Sequence, residues 1–187
     1  QPAIYFGKAG AKKDGTITAG SLGVRAAGDI NLTSLASDVD TFAAATGSGS
    51  VAFHDVDDLT IGTVSALLTF TPGVSGVSGT GTITLQSGAG GTGDLTFDTG
   101  QTVAGDTIIL QAGNGFGAPA TAIVDALSNS PQFRGPGGTG SPTSFTFRQD
   151  ASVADSSLPL AAQFGAGTPT VYAIISDDGG VAINDAT

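Results

Sequence analysis

The chain contains no cysteine, no methionine and no tryptophan. Without thiols there is neither a disulfide framework nor a thiolate metal site, and cysteine pairing gives no reading of redox compartment. A first residue of Gln1 and no methionine anywhere lead us to expect a processed product or an excised segment. One histidine, His54, excludes a histidine-rich metal site. A Ser-His-Asp triad would rest on that ring alone, with Asp55 and Asp57 near it in sequence but no nucleophile singled out. Positive charge is scarce as well: six Lys and Arg stand against sixteen Asp and Glu, a net charge of -10 with a pI near 4.1. Such a surface repels phosphate backbones and anionic lipid, so nucleic acid is not an expected partner. No apolar run approaches the roughly 20 residues that span a bilayer. The longest candidates are "VSALLTF" and "VYAII", so a membrane-spanning segment is not expected, and no signal peptide is visible.

What the chain does have is small and apolar. Hydrophobic residues make up 40% and aromatic residues 6%, so the core must be built from Val, Ile, Leu, Ala and ten Phe, in thin regular layers. Thirty glycines are roughly twice ordinary usage, while charged residues, at 12%, are about half of it. A mean hydropathy of +0.22 and frequent β-branched residues supply enough apolar surface to offset the entropy of ordering, which excludes a disordered chain. At 187 residues the chain reads as one unit spanning 1–187.

Gly81, Gly93 and Gly105 lie twelve apart, and each introduces a short alternation of apolar and polar residues: "GTITLQ", "GDLTFD" and "GDTIIL". The period of two is that of a strand. Ile83 and Leu85 fall on one face, Leu95 and Phe97 repeat them, and Ile108 and Leu110 do so after a slip of one residue. Similar segments begin at Gly15, Gly28, Ser50, Asp57, Ser144, Val171 and Gly179, about ten in all. Short strands between Gly, Ser, Thr and Asp turns predict an all-β architecture. A longer period also appears, because "FTFRQDASVAD" and "YAIISDDGGVAIND" superpose at an offset of 28, pairing Phe147 with Ile175, Asp150 with Asp178 and Val153 with Val181. Two twelve-residue arms make one coil of about 24 residues, so the expected fold is a parallel β-solenoid of roughly seven to eight coils. An antiparallel β-sandwich or jelly roll is the alternative.

Two segments fit neither pattern. "SLASDVDTFAAAT" carries Leu35, Val39 and Phe42 at helix-like spacing, and "TAIVDALSNSPQF" suggests a helical turn or two ended by Pro131. The Gly- and Pro-rich stretch 134–142 is the strongest loop signal and a candidate subdivision of the unit.

Several short motifs invite chemical readings. "GAGGTG" from Gly88 satisfies the G-x-G-x-x-G pattern of dinucleotide sites, but "DLTFDTG" follows it, which alternates as a strand where that site needs a helix. "GGTGD" approaches a calcium-binding nonapeptide, yet Asp94 arrives one residue early and Leu95 takes the sixth place. "FDTG" around Asp98 matches an aspartic-protease loop, without the second motif that a bilobal enzyme needs. The carboxylate clusters at Asp55, Asp57 and Asp58, and at Asp177 and Asp178, are candidate ligands for a hard cation such as calcium, although solvated turn carboxylates explain them more simply. Arg25, Arg134, Arg148, Lys8, Lys12 and Lys13 are too scattered for the basic cleft of a polysaccharide-cleaving β-helix. The pairs Thr16/Thr18 and Thr82/Thr84 raise ice binding, but do not persist in every repeat. His54 reads as an outward residue beyond inward Val51 and Phe53. No catalytic residue and no cofactor are expected.

The segments "GDINLTS", "DDLTIGTV", "GTITLQSGAGG" and "VAGDTIILQAGNG" resemble the degenerate repeats of filamentous haemagglutinin-like proteins and autotransporter passengers, over residues 15–113 and more loosely beyond. That resemblance implies a right-handed parallel β-helix on a bacterial cell surface, acting as an adhesin, stalk or filament. The Asn-Pro-Asn type motifs of the family's secretion domain are missing, so the chain would be an internal or processed portion. The expected role is a non-enzymatic, extracellular rod segment that self-associates end to end through strand edges. Its alternatives are a module binding surface glycans through a Thr, Ser, Asn and Gln ladder, a pilin-like sandwich donating "QPAIYFG" to a neighbour, and a carbohydrate-active enzyme.

Overall fold

The computed structural model describes residues 11–12, 15–67, 72–89, 92–117, 122–127, 132–135, 144–149, 163–164 and 171–176. Its described elements are strands. In chain order they are β1 (Ala11–Lys12), β2 (Thr18–Ala26), β3 (Ile30–Leu32), β4 (Asp38–Thr46), β5 (Val51–His54), β6 (Leu59–Ile61), β7 (Thr63–Val64), β8 (Val74–Ser75), β9 (Val77–Ser78) and β10 (Thr82–Gln86). They continue as β11 (Leu95–Phe97), β12 (Thr102–Gly105), β13 (Thr107–Gln111), β14 (Gly115–Gly117), β15 (Ile123–Ala126), β16 (Gln132–Arg134), β17 (Ser144–Gln149), β18 (Gln163–Phe164) and β19 (Val171–Ser176).

Two parallel sheets take these strands by turns. One has seven strands in the order β1-β3-β5-β10-β13-β16-β18, so successive passes of the chain lie side by side. The other has ten, in the order β15-β12-β9-β4-β6-β11-β14-β17-β19, with β2 also against β4. The chain is therefore an all-β, parallel β-solenoid. About four turns are described through, against the seven to eight expected. The antiparallel sandwich does not form among the described residues.

The second sheet forks at β4. Thr41 and Phe42 pair with Thr60 and Ile61 of β6, whereas Ala44 and Ala45 pair with Val77 and Ser78 of β9. Between these pairs, β7 and β8 leave the coil as an antiparallel pair, the two arms of a hairpin. Its neck is closed by Gly62 N–H donating to Phe42 O (3.1 Å), Gly76 N–H to Gly62 O (2.9 Å) and Ala44 N–H to Gly76 O (2.9 Å). Val64 and Val74 cover Ala43, the β4 residue opposite the neck. Gly76 sits at φ 65°, and a side chain there would collide with Thr102 O.

Register produces the core. On the seven-stranded sheet Ile30, Val51, Ile83 and Ile108 form one inward column, and Leu32, Phe53, Leu85, Leu110 and Phe133 another. Facing them are Leu22, Phe42, Ile61 and Phe97; then Leu59, Leu95 and Phe116; then Val24, Ala44, Val77, Val103 and Val124. All of these are buried. At about 1.5–3 kcal/mol for each large apolar side chain withdrawn from water, the columns carry the stability of the fold. Aromatic contacts tie opposite sheets together: Phe42 and Phe53 stack with centroids 4.2 Å apart and planes 9° apart, and Phe116 meets Phe133 edge-on at 5.4 Å.

The twelve-residue spacing of glycines marks the corners of one coil. Thr82 pairs with Thr107 and Ile83 with Ile108, an advance of 25 residues, which is two twelve-residue arms plus the one-residue slip. The Asp106 N–H donates to Gly81 O (3.0 Å) across that coil, and a Cβ at Gly105 would lie 2.5 Å from Ile83 Cγ1, so the corner closes only without a side chain.

Four expectations are corrected. Residues 38–46 form β4, not a helix: Val39 and Phe42 are both buried at a spacing of three, with Asp40 exposed and Thr41 half-buried between them, while Leu35 is left exposed. Residues 123–126 form β15 against β12, again not a helical turn. The turns that contain β6, β9, β11 and β12 place three strands in each pass, not two arms, because "TVAG" at Thr102–Gly105 is a strand of its own. Finally, β17 and β19 pair Phe147 with Ile174 and Arg148 with Ile175, an offset of 27 and not 28. A one-residue slip exchanges the two faces of a strand, so an offset of 28 would set opposite faces against each other. The partners proposed for Asp150 and Val153, the strand expected from Gly179 and residues 136–143 of the Gly- and Pro-rich loop lie outside the described residues.

Candidate functional site

On the outer face of the seven-stranded sheet, one register column is wholly polar and a second is mixed. His54, Gln86, Gln111 and Arg134 share one register position, and Asn31, Ala52, Thr84, Ile109 and Gln132 share the one two residues earlier. Neighbours in a column repeat at the strand spacing of about 4.8 Å. His54, Gln86, Gln111, Gln132 and Arg134 are all half-buried, and the Arg134 guanidinium (Nη2) donates to Gln132 Oε1. The His54 ring faces outward as expected. Its Nδ1 is nevertheless buried without a hydrogen-bond partner, and burial holds its pKa below the ordinary 6.5, with a backbone bond at Thr33 acting in the opposite direction.

The second sheet carries a shorter ladder. Ser21, Thr41, Thr60 and Thr96 occupy one register position, and the Thr60 and Thr96 hydroxyls are 3.0 Å apart. Beside it, the exposed Asp58 accepts from the Asp94 N–H through Oδ1 (2.8 Å), and Asn114 Nδ2 donates to Asp94 Oδ1 (2.8 Å). Asp94 thus braces a corner, while the wholly buried Leu95 points into the core. After "GAGGTG" the chain enters β11, so the helix N-terminus that a pyrophosphate requires is replaced by a strand. Asp98 is exposed at a turn, its N–H donating to Ile61 O (2.9 Å) and its carbonyl accepting from Gln101 N–H (3.3 Å).

The carboxylates proposed as cation ligands are not brought together. Asp55 is wholly buried, whereas Asp57 and Asp58 are exposed. Among the described residues no group of three or more acidic, His or Cys side chains is arranged to hold a metal ion. Asp177 and Asp178 lie outside the described residues. Asp55 is directed at backbone: its Oδ2 accepts from Val39 N–H (2.8 Å) and its Oδ1 from Asp57 N–H (3.2 Å). Burial pushes its carboxyl up to about 7, the two backbone N–H groups acting against the rise and Asp57 adding to it.

Two buried polar side chains have roles that the sequence did not show: Asp55, read there as a solvated turn carboxylate or cation ligand, and Gln101. Asp55 follows Val51 and Phe53 on the inward side of the alternation, which was the available signal. Gln101, buried beside the hairpin, had none: its Nε2 donates to Thr63 Oγ1 (3.2 Å), and its Oε1 accepts from Ser75 Oγ (2.9 Å), which also lies 2.8 Å from Thr63 Oγ1. This triangle fastens the hairpin to the following turn. Of the basic residues, Arg25 donates through Nη2 to Gly73 O in the hairpin (2.6 Å), and Arg134 lies on the other sheet, so the two do not converge on one cleft.

Among the described residues no helix is long and apolar enough to cross a membrane. Comparison with known proteins finds no matching family model, curated protein or solved structure.

Proposed function

We propose that the chain is a non-enzymatic structural segment of a bacterial surface rod or adhesin, working outside the cell and assembling end to end. The observation that carries this reading is the in-register parallel stack. Each turn leaves its strands ready to pair with one more, and β2, nine residues long, pairs with β4 alone among the described residues. Its inward Leu22 and Val24 are wholly buried, so the rim offers backbone hydrogen bonds more than apolar surface. Identical units joined head to tail by such pairing form an open filament. The likeness of "GDINLTS", "DDLTIGTV" and "GTITLQSGAGG" to filamentous haemagglutinin-like repeats points to the same setting.

Electron microscopy of the purified full chain tests this directly. Rods that lengthen with concentration are expected; compact particles that stay monomeric at every concentration overturn the proposal. A second reading rests on the outer ladder of His54, Gln86, Gln111 and Arg134, whose repeating donors and acceptors suit an extended polar ligand such as a surface glycan. Glycan-array binding without filaments, lost in Gln86→Ala and Gln111→Ala, would favour it.

A further inference from the structure

The corner following β5 joins three successive turns. Val56 N–H donates to Ser37 O of the preceding turn (2.7 Å), while Asp55 O accepts from Ala89 N–H (2.9 Å) and Asp57 O from Gly88 N–H (2.7 Å) of the following one. At its centre the Asp55 carboxyl, with no exposed surface, takes the Val39 N–H from the preceding turn and the Asp57 N–H from its own. At the same corner one turn later stands Ser87, also wholly buried, and at the next Ala112, both neutral.

Among the described residues no cation is placed against this carboxyl. The described segments packed at the corner, 34–39, 55–58, 86–89 and 92–94, contain no Lys, Arg or His. Their charged members are Asp38 on the preceding turn, Asp57 and Asp58 on its own, and Asp94 on the following one, of which Asp57 acts on Asp55. His54 is adjacent in sequence, but its ring lies on the opposite face of the strand. Burial makes this carboxyl costly to ionise; the two amide donors offset part of that cost, while the Asp57 carboxylate beside it repels a second negative charge and can accept the O–H of the neutral form.

We propose that Asp55 is a protonation-dependent fastener of the joint between the second and third turns, closed when its carboxyl is neutral and loosened when it ionises. Its pKa is raised above the ordinary carboxylate value, so stability present below about pH 4 is lost as pH rises through about 7. His54 runs the other way: its lowered pKa means that the unfolded chain takes up a proton first, and stability falls as pH drops below the ordinary 6.5.

The experiment therefore uses full-length chain carrying His54→Gln, the residue found at the next position of that ladder. The urea midpoint is expected to fall between pH 5 and pH 8, and to stay level over that range when Asp55→Asn is added. Equal slopes in the two proteins overturn the proposal. Because Asp55→Asn sets an amide donor against a backbone N–H and so threatens folding itself, the carboxyl carbon of Asp55 is also titrated by NMR in the unmodified chain. A midpoint near 7 is expected; one in the ordinary range near 4 overturns the proposal whatever the variant does.

Discussion

Replacing Phe53 by alanine removes a ring with no exposed surface that stacks at 4.2 Å on Phe42 of the opposite sheet. A buried Phe→Ala change costs about 3–5 kcal/mol, lost transfer energy and residual cavity together. The upper half of that range is expected here, because the stacked pair adds about 0.5–1.5 kcal/mol beyond its buried area and because the columns above and below, Leu32 and Leu85, are themselves fixed by their own neighbours. Phe53→Leu tests the register. Leucine is what occupies this column in the flanking turns, so the loss should shrink to about 1–2 kcal/mol. Urea denaturation followed by far-UV circular dichroism reads both values, the absence of tryptophan making fluorescence a poor probe. A cost below about 1 kcal/mol for Phe53→Ala would refute the reasoning. So would a Phe53→Leu cost equal to it, since the column would then not be laid out as leucine over phenylalanine over leucine.

Gln101→Leu deletes both hydrogen bonds that fasten the hairpin to the next turn and leaves Thr63 and Ser75 with each other; we expect a loss of about 1–3 kcal/mol and faster proteolysis within residues 63–75, read by mass spectrometry. Gly76→Ala combines an unfavourable backbone with a clash against Thr102 O and should cost clearly more than Gly100→Ala, which has a positive φ of 74° but nothing within 4 Å and should lose only about 1 kcal/mol; thermal melts of the pair rank them. Asp58→Ala removes the acceptor of the Asp94 N–H, a change of about 0.5–1.5 kcal/mol in urea midpoint, and that loss should be the same with and without millimolar calcium if the carboxylate braces a corner and holds no ion.

Much of the fold was written in the alternation. The glycine spacing and the slip from Ile83 to Ile108 gave the 25-residue length of that coil, because inward residues of a parallel stack must coincide, although the two arms read from Gly81, Gly93 and Gly105 divide into three strands. What could not be read came from places where a coil departs from its mean. The 32-residue advance from Val51 to Ile83 contains the pair β7 and β8, whose Val64 and Val74 look like any other strand residues until they are seen to cover Ala43. Val39 and Phe42 imitate a helix because this strand departs from strict alternation and buries two residues at a spacing of three. The strand β12 has Val103 as its one large inward residue, too little to announce itself. At the corner, Asp55 was read among turn carboxylates with Asp57 and Asp58, although it continues the inward set of Val51 and Phe53; charge argued for solvent, and the alternation for burial prevailed.

The account stands on the stacking order of the turns, which spin-label distances measure most directly in a chain that has no native cysteine. Asn31, Ala52, Thr84, Ile109 and Gln132 share one outward column, so labels at Asn31 and Gln132 should lie four strand spacings apart, about 19 Å. Labels at Ala52 and Gln132 should lie about 14 Å apart, three spacings. A separation that shortens by one spacing with each turn is the predicted result. Equal distances for the two pairs, or a longer one for Ala52 and Gln132, would contradict it.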